Sequence, residues 1–310
     1  MKYIIICFIG VLCVVGVISC ADQPLSILNV FAQRDGTPPV LIGFEMHSST
    51  EVSVSFDEYI MIKRDAFTVE GNEVLNVGVW DETLTLTLKN PIPLGTPTTL
   101  EGRVQDLGGN SLRFSIELWA KNTRIPALLI NEFTTKGSEN HPDRVELYIL
   151  SAGNLAGVTI EASSDTFTFG DYEVASGNYV VVVFNKGSVE EGFFVSKEQG
   201  GLATNNGYIC VAESPQWNSP LIDCVLYSTQ GATTYNGFGS KAVAEKAEYL
   251  AQTTHWNGSL ASDAVDISKA TATRSVNRNL FTDTNTANDW YICATSNASF
   301  GSKNSTNRYD

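Results

Sequence analysis

The side chains that could do chemistry fall into a few small groups. Asp283, Asn285 and Asp289 lie in the segment DTNTAND, and such a mix of carboxylate and amide oxygens can bind calcium. The segment lacks the glycine and the terminal glutamate of an EF-hand loop. The alternative is an Asx-rich turn before a strand. Turn structure is the favoured interpretation, and the sequence predicts no cofactor.

The carboxylates and the histidines are the other candidate catalytic groups. Glu132 and Glu146 could form the carboxylate pair of an acid–base catalyst. His141 lies in the polar segment SENHPDR, which is typical of a solvated turn, and His255 follows a predicted helix. The sequence contains no nucleophile elbow, no phosphate-binding glycine loop and no HExxH motif. We therefore expect a protein that is not an enzyme.

Cys210 and Cys224 lie in two predicted strands, GYICVAE and LIDCVLYS, which the segment SPQWNSP joins. A hairpin folded symmetrically about Trp217 places the two cysteines opposite each other. Their Cα atoms would then be about 4.5–5.5 Å apart, which is within disulfide range. The sequence predicts either a disulfide or two buried thiols, with Cys293 unpaired. Without CxxC spacing, a structural zinc site is not expected.

The N-terminus has the layout of an export signal. Lys2 precedes the apolar run Tyr3–Ile18, which is shorter than the roughly 20 residues that span a bilayer as a helix. The stretch VISC, ending at Cys20, resembles a bacterial lipobox, in which cleavage before the cysteine is accompanied by its acylation. Ile18 departs from the small residue usual there. The resemblance implies a signal peptide over 1–19, lipid attachment at Cys20 and an anchor linker over 20–23; the alternative is an ordinary cleaved signal.

Charge and composition narrow the class of partner. The net charge is −14 and the isoelectric point is about 4.6. Phosphate contacts need clustered lysine and arginine, and no basic run occurs, so no nucleic-acid partner is expected. The charged fraction of 17% is low, as is typical of an exported β protein. The length that remains after the signal suits two domains.

The first predicted domain, residues 24–123, shows strict alternation. In TEVSVSF and ETLTLTLK apolar residues alternate with polar ones, which predicts half-buried antiparallel strands. Residues 40–118 resemble a bacterial immunoglobulin-like domain of the surface-layer, SbsA-like type, which implies a β-sandwich spacer without a catalytic site. The matching positions are Phe56, Asp57, Glu58, Asp106, Gly109, Asn110 and Leu112.

The second predicted domain, residues 124–310, opens with INEF and VELYI and ends with an Asp-Trp pair, a glycine and an asparagine. It resembles the lamin-tail domain as it occurs in bacteria, which implies a compact, non-catalytic immunoglobulin-like β-sandwich. Val158 stands where tryptophan is usual. The matching positions are Ile130, Asn131, Glu132, Glu146, Leu147, Tyr148, Leu155, Gly157, Arg278, Asp289, Trp290, Gly301 and Asn304.

One segment of this domain departs from the β pattern. Residues 240–252 are rich in alanine and place Val243, Ala247 and Leu250 at helical spacing, with Ser240 available as a cap. The segment therefore predicts a short inserted helix, and the alternative is an alanine-rich loop.

These features together predict an all-β protein with two immunoglobulin-like β-sandwich domains in tandem and a short helical insertion in the second. The predicted function is that of a non-enzymatic lipoprotein of the bacterial cell envelope, a binding or scaffold module. Its expected partners are the lipid membrane, through acylated Cys20, and a protein or a glycan, with the helix and the loop 136–144 as contact regions. The alternative is a carbohydrate-binding or accessory module of a secreted hydrolase system. A carbohydrate site would need an exposed aromatic face, to which these residues could contribute: Tyr227, Tyr235, Phe238 and Trp256.

Overall fold

The computed structural model describes residues 36–63, 66–184, 193–196, 200–216, 218–279 and 282–309. The predicted signal peptide, the lipid-attachment residue Cys20, the linker 20–23 and Trp217 lie outside these residues. Within the described part of the chain, no helix combines the length and the apolar character needed to cross a bilayer.

The first half of the described chain forms two antiparallel sheets, one of four strands in the order β1-β2-β5-β4 and one of three in the order β3-β6-β7. The alternating segments form β2 and β5, whose valine, phenylalanine and leucine side chains are buried while the serines and threonines between them are partly exposed. The alternation therefore predicted these strands correctly. The strand bounds are β1 Leu41–Met46, β2 Glu51–Phe56, β3 Phe67–Val69, β4 Val74–Trp80, β5 Thr83–Leu88, β6 Thr98–Gln105 and β7 Ser111–Leu118.

The second half forms a larger pair of sheets. Five strands follow the order β12-β11-β16-β17-β18 and six follow the order β15-β14-β9-β8-β19-β20, while β10 pairs with β13. The strand bounds are β8 Leu128–Thr134, β9 Arg144–Ile149, β10 Gly153–Asn154, β11 Thr159–Ala162, β12 Thr166–Thr168, β13 Glu173–Val174, β14 Tyr179–Val183, β15 Phe194–Val195, β16 Asn206–Ala212, β17 Leu221–Ser228, β18 Val265–Asp266, β19 Val276–Arg278 and β20 Trp290–Ile292.

Each pair of sheets encloses its own hydrophobic cluster. Val54 and Leu86 of the four-stranded sheet pack with Leu100 of the three-stranded sheet, and Val145 and Val225 share the cluster of the larger pair. Apolar side chains buried between two facing sheets define a β-sandwich. The all-β prediction is confirmed, and the division into domains at 24–123 and 124–310 stays a prediction.

The predicted helix, α1 Lys241–Gln252, is present and lies against the five-stranded sheet. Val243, Ala247 and Leu250 are buried, as their spacing predicted. Ser240 occupies the N-cap position with an extended backbone, but its side chain makes no capping hydrogen bond. Packing of the apolar face therefore supplies the stability that a cap would have added, as is usual for helices in proteins.

Candidate functional site

The candidate site includes a β-bulge in strand β8. Between β8 and β9 the register pairs Ile130 with Leu147 and then Glu132 with Glu146, so Asn131 is an extra residue in β8. Bulges redirect side chains and are common beside functional sites. Asn131 consequently lies on the same side of the sheet as Glu132, and its Nδ2 donates to Glu146 Oε1 at 2.6 Å.

A row of polar side chains crosses the outer face of the six-stranded sheet. Glu146 of β9, Glu132 of β8 and Asn277 of β19 are in register, and all three are 0% exposed. Like charges directly opposed across two strands destabilise a sheet, and buried polar groups need hydrogen-bond partners. The row therefore has to be covered and paired by another part of the chain.

Residues 296–305, which we name the C-terminal clasp, cover this row. Ser299 donates to Glu132 from its backbone nitrogen at 2.9 Å and from its hydroxyl at 2.7 Å. The backbone N–H of Gly301, at a φ of +84°, donates to Glu146 Oε2. Asn304 Nδ2 donates to Asn131 Oδ1 at 3.0 Å. Residues that carry the lamin-tail resemblance at the two ends of the domain are thus hydrogen-bonded to one another.

Burial sets the protonation of the two carboxyl groups. It raises the pKa of Glu146 to about 8, against the hydrogen bond from Asn131, and the neighbouring Glu132 raises it further. Burial also raises the pKa of Glu132, while hydrogen bonds from Ser275 and Ser299 oppose the shift. At pH 7 the Glu146 carboxyl is therefore mostly neutral, which relieves the repulsion between the pair.

A buried ion pair ties the two sheets together beside the bulge. Arg278 Nη2 lies 2.6 Å from Asp223 Oδ2, and Arg278 Nε donates to the Ile130 carbonyl. Asp223 also accepts from the backbone N–H of Ile130 at 2.6 Å. The guanidinium lies 4.5 Å from the centre of the Trp290 ring. Burial raises the pKa of Asp223 to about 6, and Arg278 acts in the opposite direction. Sequence reasoning singled out Arg278 but missed Asp223, which no local pattern marks.

A cleft of about 420 Å³ opens between the loop 136–144, the turn 271–274 and the clasp. We name it the Arg144 cleft. Asp143 fixes the loop by accepting from the backbone nitrogens of Gly137 at 2.6 Å and Leu202 at 2.9 Å. The guanidinium of Arg144 lies 5.3 Å from the Phe300 ring centre and 5.7 Å from that of Phe193.

The two hairpin cysteines are opposite each other, as predicted. The register of β16 and β17 pairs Cys210 with Cys224, and both are buried under α1. Both are present as thiols, and Cys293 is a third buried thiol. The disulfide stays a prediction. On the neighbouring strand Glu161 binds Lys246 of the helix at 2.8 Å.

The calcium candidates take part in turn hydrogen bonds. The Asp289 carboxylate accepts from Thr284 and from the backbone nitrogen of Thr286, which closes the turn before β20. Asp283 lies 3.2 Å from Arg278, and Asn285 donates to the Thr254 carbonyl. Among the residues that the structure describes, no three His, Cys, Asp or Glu side chains gather as metal ligands.

Three of the four aromatic residues that could contribute to a carbohydrate site are buried. Tyr227, Phe238 and Trp256 are at most 2% exposed, and only Tyr235, at 53%, lies on the surface. The three buried rings belong to the hydrophobic cluster shared by the sandwich and α1. Burying these large rings is favourable because it removes a large apolar surface from water. The polar nitrogen of the Trp256 ring keeps a hydrogen-bond partner, since Nε1 donates to the Asp263 carbonyl.

The fold and the clasped polar row define an all-β sandwich protein. A family model described as TP_1001_2nd, protein second domain, matches residues 126–194 and 192–292, more than half of the chain, and the chain belongs to this family. No curated protein matches it. Among solved structures, the N-terminal part of the bacterial S-layer protein SbsC is similar at 12% identity and a TM-score of 0.25, over 62% of this chain and 44% of that protein. Similarity this low supports no inference about function.

Proposed function

We propose that the protein is a non-enzymatic lipoprotein of the bacterial cell envelope that acts as a binding or scaffold module. Acylated Cys20 holds it at the membrane. Residues 24–123 form an immunoglobulin-like spacer, and residues 124–310 form the lamin-tail-like sandwich that is displayed outermost. The sequence of the N-terminus and the two hydrophobic clusters support this arrangement.

The main observation in favour of a binding role is that hydrogen bonds hold the loop 136–144 in place. Asp143 is buried and holds both the start of its own loop and Leu202. Pro142 and Thr134 are linked through a hydrogen bond from the threonine hydroxyl to the proline carbonyl. Asn140 and His141 are exposed at the tip. Loops on rigid scaffolds carry recognition, so this loop is suited to present a contact surface.

The helix α1 offers a second contact region. Its apolar face is buried, while Lys246 bridges to Glu161 and packs over the Tyr208 ring at 5.1 Å. Tyr249 is 46% exposed on the outer face. The helix is therefore fixed to the sheet and displays an aromatic side chain that a partner can bury.

The anchoring step is tested by detergent phase partitioning of the full-length protein in a bacterial host that processes lipoproteins. We expect the wild-type protein and the Cys13→Ser control to enter the detergent phase, because Cys20 remains available for acylation. Cys20→Ser should enter the aqueous phase or retain its uncleaved signal. Equal partitioning of Cys20→Ser and wild type as mature chains would contradict the proposal.

A second candidate function is a carbohydrate-binding or accessory module of a secreted hydrolase system. The Arg144 cleft favours it, because a cleft with many hydroxyl groups suits a polar ligand. Affinity purification from the culture supernatant and envelope would test it. Recovery of a glycoside hydrolase with the wild-type protein, but not with loop 136–144 variants, would support this candidate.

A further inference from the structure

Strand β4 is an open edge of the four-stranded sheet. It pairs with β5 on one side and, among the residues that the structure describes, with no strand on the other. Its sequence is VLNVGVW, in which every residue is at least partly exposed and none carries a charge. Natural proteins usually protect an open edge with charged residues, proline or a covering segment, because the edge pairs readily with another strand. The uncharged strand β4 is therefore a candidate pairing surface of this acidic chain.

The hydrogen bonds of β5 show which side each of its residues bonds to. Leu88 N donates at 2.8 Å to the carbonyl of Thr50, which precedes β2. Lys89 N donates at 2.9 Å to the carbonyl of Glu73, which precedes β4. Bonded pairs alternate along an antiparallel ladder. Even-numbered residues of β5 thus bond towards β2, and odd-numbered residues bond towards β4.

The residues of β4 divide accordingly. Its residues opposite the odd-numbered positions of β5 are Asn76, Gly78 and Trp80. These three bond to β5, so the backbone N–H and C=O groups of Val77 and Val79 point away from the sheet. Within the described chain, neither valine is hydrogen-bonded to a segment outside the β4–β5 pair. The open edge therefore offers alternating backbone donors and acceptors to another strand.

We propose that β4 pairs with β4 of a second copy of this chain, antiparallel and with the twofold axis at Gly78. This register places Val77 opposite Val79 of the second copy, so every outward N–H and C=O of these valines has a partner. The two Gly78 residues then form a non-hydrogen-bonded pair, with Cα atoms about 4.5 Å apart. Such an interface is isologous, since both copies contribute the same residues.

The side chains of β4 suit the same register. Trp80 is 81% exposed, and the register places it beside Asn76 of the second copy, which covers part of the indole. Tryptophan of this kind is common at the centre of interfaces. Val77 and Val79 are opposite the buried Leu86 and Leu84 of β5, so they lie on the core side and extend the apolar layer into the second copy.

The charges around β4 do not oppose this pairing. The acidic residues that flank the strand are Glu73 and Asp81, and both lie outside the paired segment 76–80. Glu73 is bound by Lys89 at 2.6 Å. Asp81 would stand opposite Leu75, the extra residue of the bulge in β4, and not opposite a carboxylate. An uncharged strand that matches itself therefore fits a second copy.

The test is disulfide cross-linking of the full-length protein in the envelope of a bacterial host that processes lipoproteins. On mild oxidation, Gly78→Cys should form a dimer that runs at twice the chain mass without reductant, because its Cα atoms lie within disulfide range. A Cβ at Gly78 meets no atom within 4 Å, so the cysteine fits the strand. The wild type, whose described cysteines are buried, should give no dimer.

Two cysteine variants of the same sheet serve as matched controls. Gly43→Cys replaces a glycine with equally open space on β1, the opposite edge. Thr85→Cys lies beside Gly78 on β5, but its two copies would be three strand spacings, about 14 Å, apart. A small maleimide should label both controls, yet neither should cross-link. Absence of the dimer in Gly78→Cys, or equal cross-linking of either control, would overturn the proposal.

Proline tests the predicted hydrogen bonds separately. The N–H of Val79 points to the open side, and an edge strand tolerates proline where its N–H faces solvent. Val79→Pro, added to Gly78→Cys, should therefore remove the cross-link while the protein still unfolds cooperatively on heating. A cross-link that persists in this folded double variant would contradict the pairing.

The mass of the cross-linked product identifies the occupant of the edge. A Gly78→Cys product that contains a different envelope protein would overturn pairing with a second copy and assign the edge to that partner. The anchoring proposal is tested independently, because detergent partitioning of Cys20→Ser does not depend on β4. A dimer without detergent partitioning, or partitioning without a dimer, would therefore reject only one of the two.

Discussion

The Glu132 and Glu146 side chains are charged residue types that would be expected on the surface, but the structure buries them. Glutamate is rarely buried completely, yet both residues are inaccessible and both lie on the outer face of a sheet. The C-terminal clasp makes this possible because its backbone N–H groups and the Ser299 hydroxyl satisfy the oxygens. The paired carboxyls therefore hold the clasp in place and are closed to solvent.

The raised pKa of Glu146 makes the stability of the protein depend on pH. The unfolded carboxyl titrates near 4.5 and the folded one near 8, so the folded state binds more protons in between. The free energy of unfolding should therefore fall as pH rises from about 4.5 to about 8. Burial raises the pKa of Asp143 in the same direction, so this residue adds to the trend.

The substitution Glu146→Gln should flatten this dependence, because the amide cannot ionise. Urea unfolding of the wild type and the variant at a series of pH values would measure it. Glu139→Gln, which removes an exposed carboxylate from the loop 136–144, serves as the control and should keep the wild-type slope. A Glu146→Gln variant with the wild-type slope would contradict the assignment.

Arg278 should be among the residues most important for stability. Its removal leaves Asp223 buried without its cation, and breaking a buried pair in this way costs about 3–5 kcal/mol. Arg278→Met should therefore lower the free energy of unfolding by that amount in urea titrations. The double variant Arg278→Met, Asp223→Asn should recover part of the loss. Arg274→Met, which removes a partly exposed arginine from the same region, should cost much less.

The strands differ in how far the sequence predicts them. β2 and β5 follow from strict alternation, and α1 follows from three apolar residues at helical spacing. Each signal is local, which is why it can be recognised in one sequence. The bulge at Asn131 interrupts the alternation of β8, and the clasp depends on contacts between residues more than 150 positions apart, such as Ser299 with Glu132. No periodic pattern records contacts of that kind.

The burial of the aromatic residues of the second half could not be predicted from the sequence. Tyr227, Phe238 and Trp256 could have contributed to an exposed aromatic face, yet all three are buried in the hydrophobic cluster of the second half. The sequence shows that a large ring is present. Where the segment has no regular period, the sequence does not show whether that ring faces the core or the solvent. The loop 136–144 was predicted as a contact region, whereas its partner walls in the Arg144 cleft were not.

The hairpin of β16 and β17 should carry a disulfide in an oxidising compartment. Thr229 N donates to the Asn205 carbonyl, and hydrogen-bonded and non-hydrogen-bonded pairs alternate along an antiparallel ladder. Cys210 and Cys224 consequently form a non-hydrogen-bonded pair, the type in which Cα atoms lie only about 4.5 Å apart. A bridge here closes a short loop, which adds about 3 kcal/mol.

Peptide mapping without reduction would test this bridge on protein taken from the envelope. We expect a Cys210–Cys224 cross-linked peptide, with Cys293 alkylated only after unfolding because it is buried. The Cys210→Ser, Cys224→Ser double variant should melt at a lower temperature than wild type, and the difference should disappear when both are reduced. Recovery of both thiols in alkylated form from unreduced protein would show that the bridge is absent.

At the scale of the whole molecule, the two sandwiches follow one another along the chain. The first sandwich is nearer in sequence to the predicted anchor, while the family-matched residues 126–292 and the clasp form the sandwich with the cleft. The acidic character of the chain opposes binding to polyanions such as nucleic acid. These features are the ones on which the proposal of a tethered, non-catalytic binding protein depends.

The N-terminal peptide of the protein isolated from its native membrane would show whether Cys20 is lipid-anchored. Its intact mass, measured after proteolysis in detergent, reports both the cleavage position and any acyl groups. We predict a peptide that begins at Cys20 and carries two or three acyl chains, because several chains anchor a protein stably where one does not. An unmodified Cys20, or a mature N-terminus at another position in an aqueous protein, would contradict the tethered protein and leave a freely secreted one.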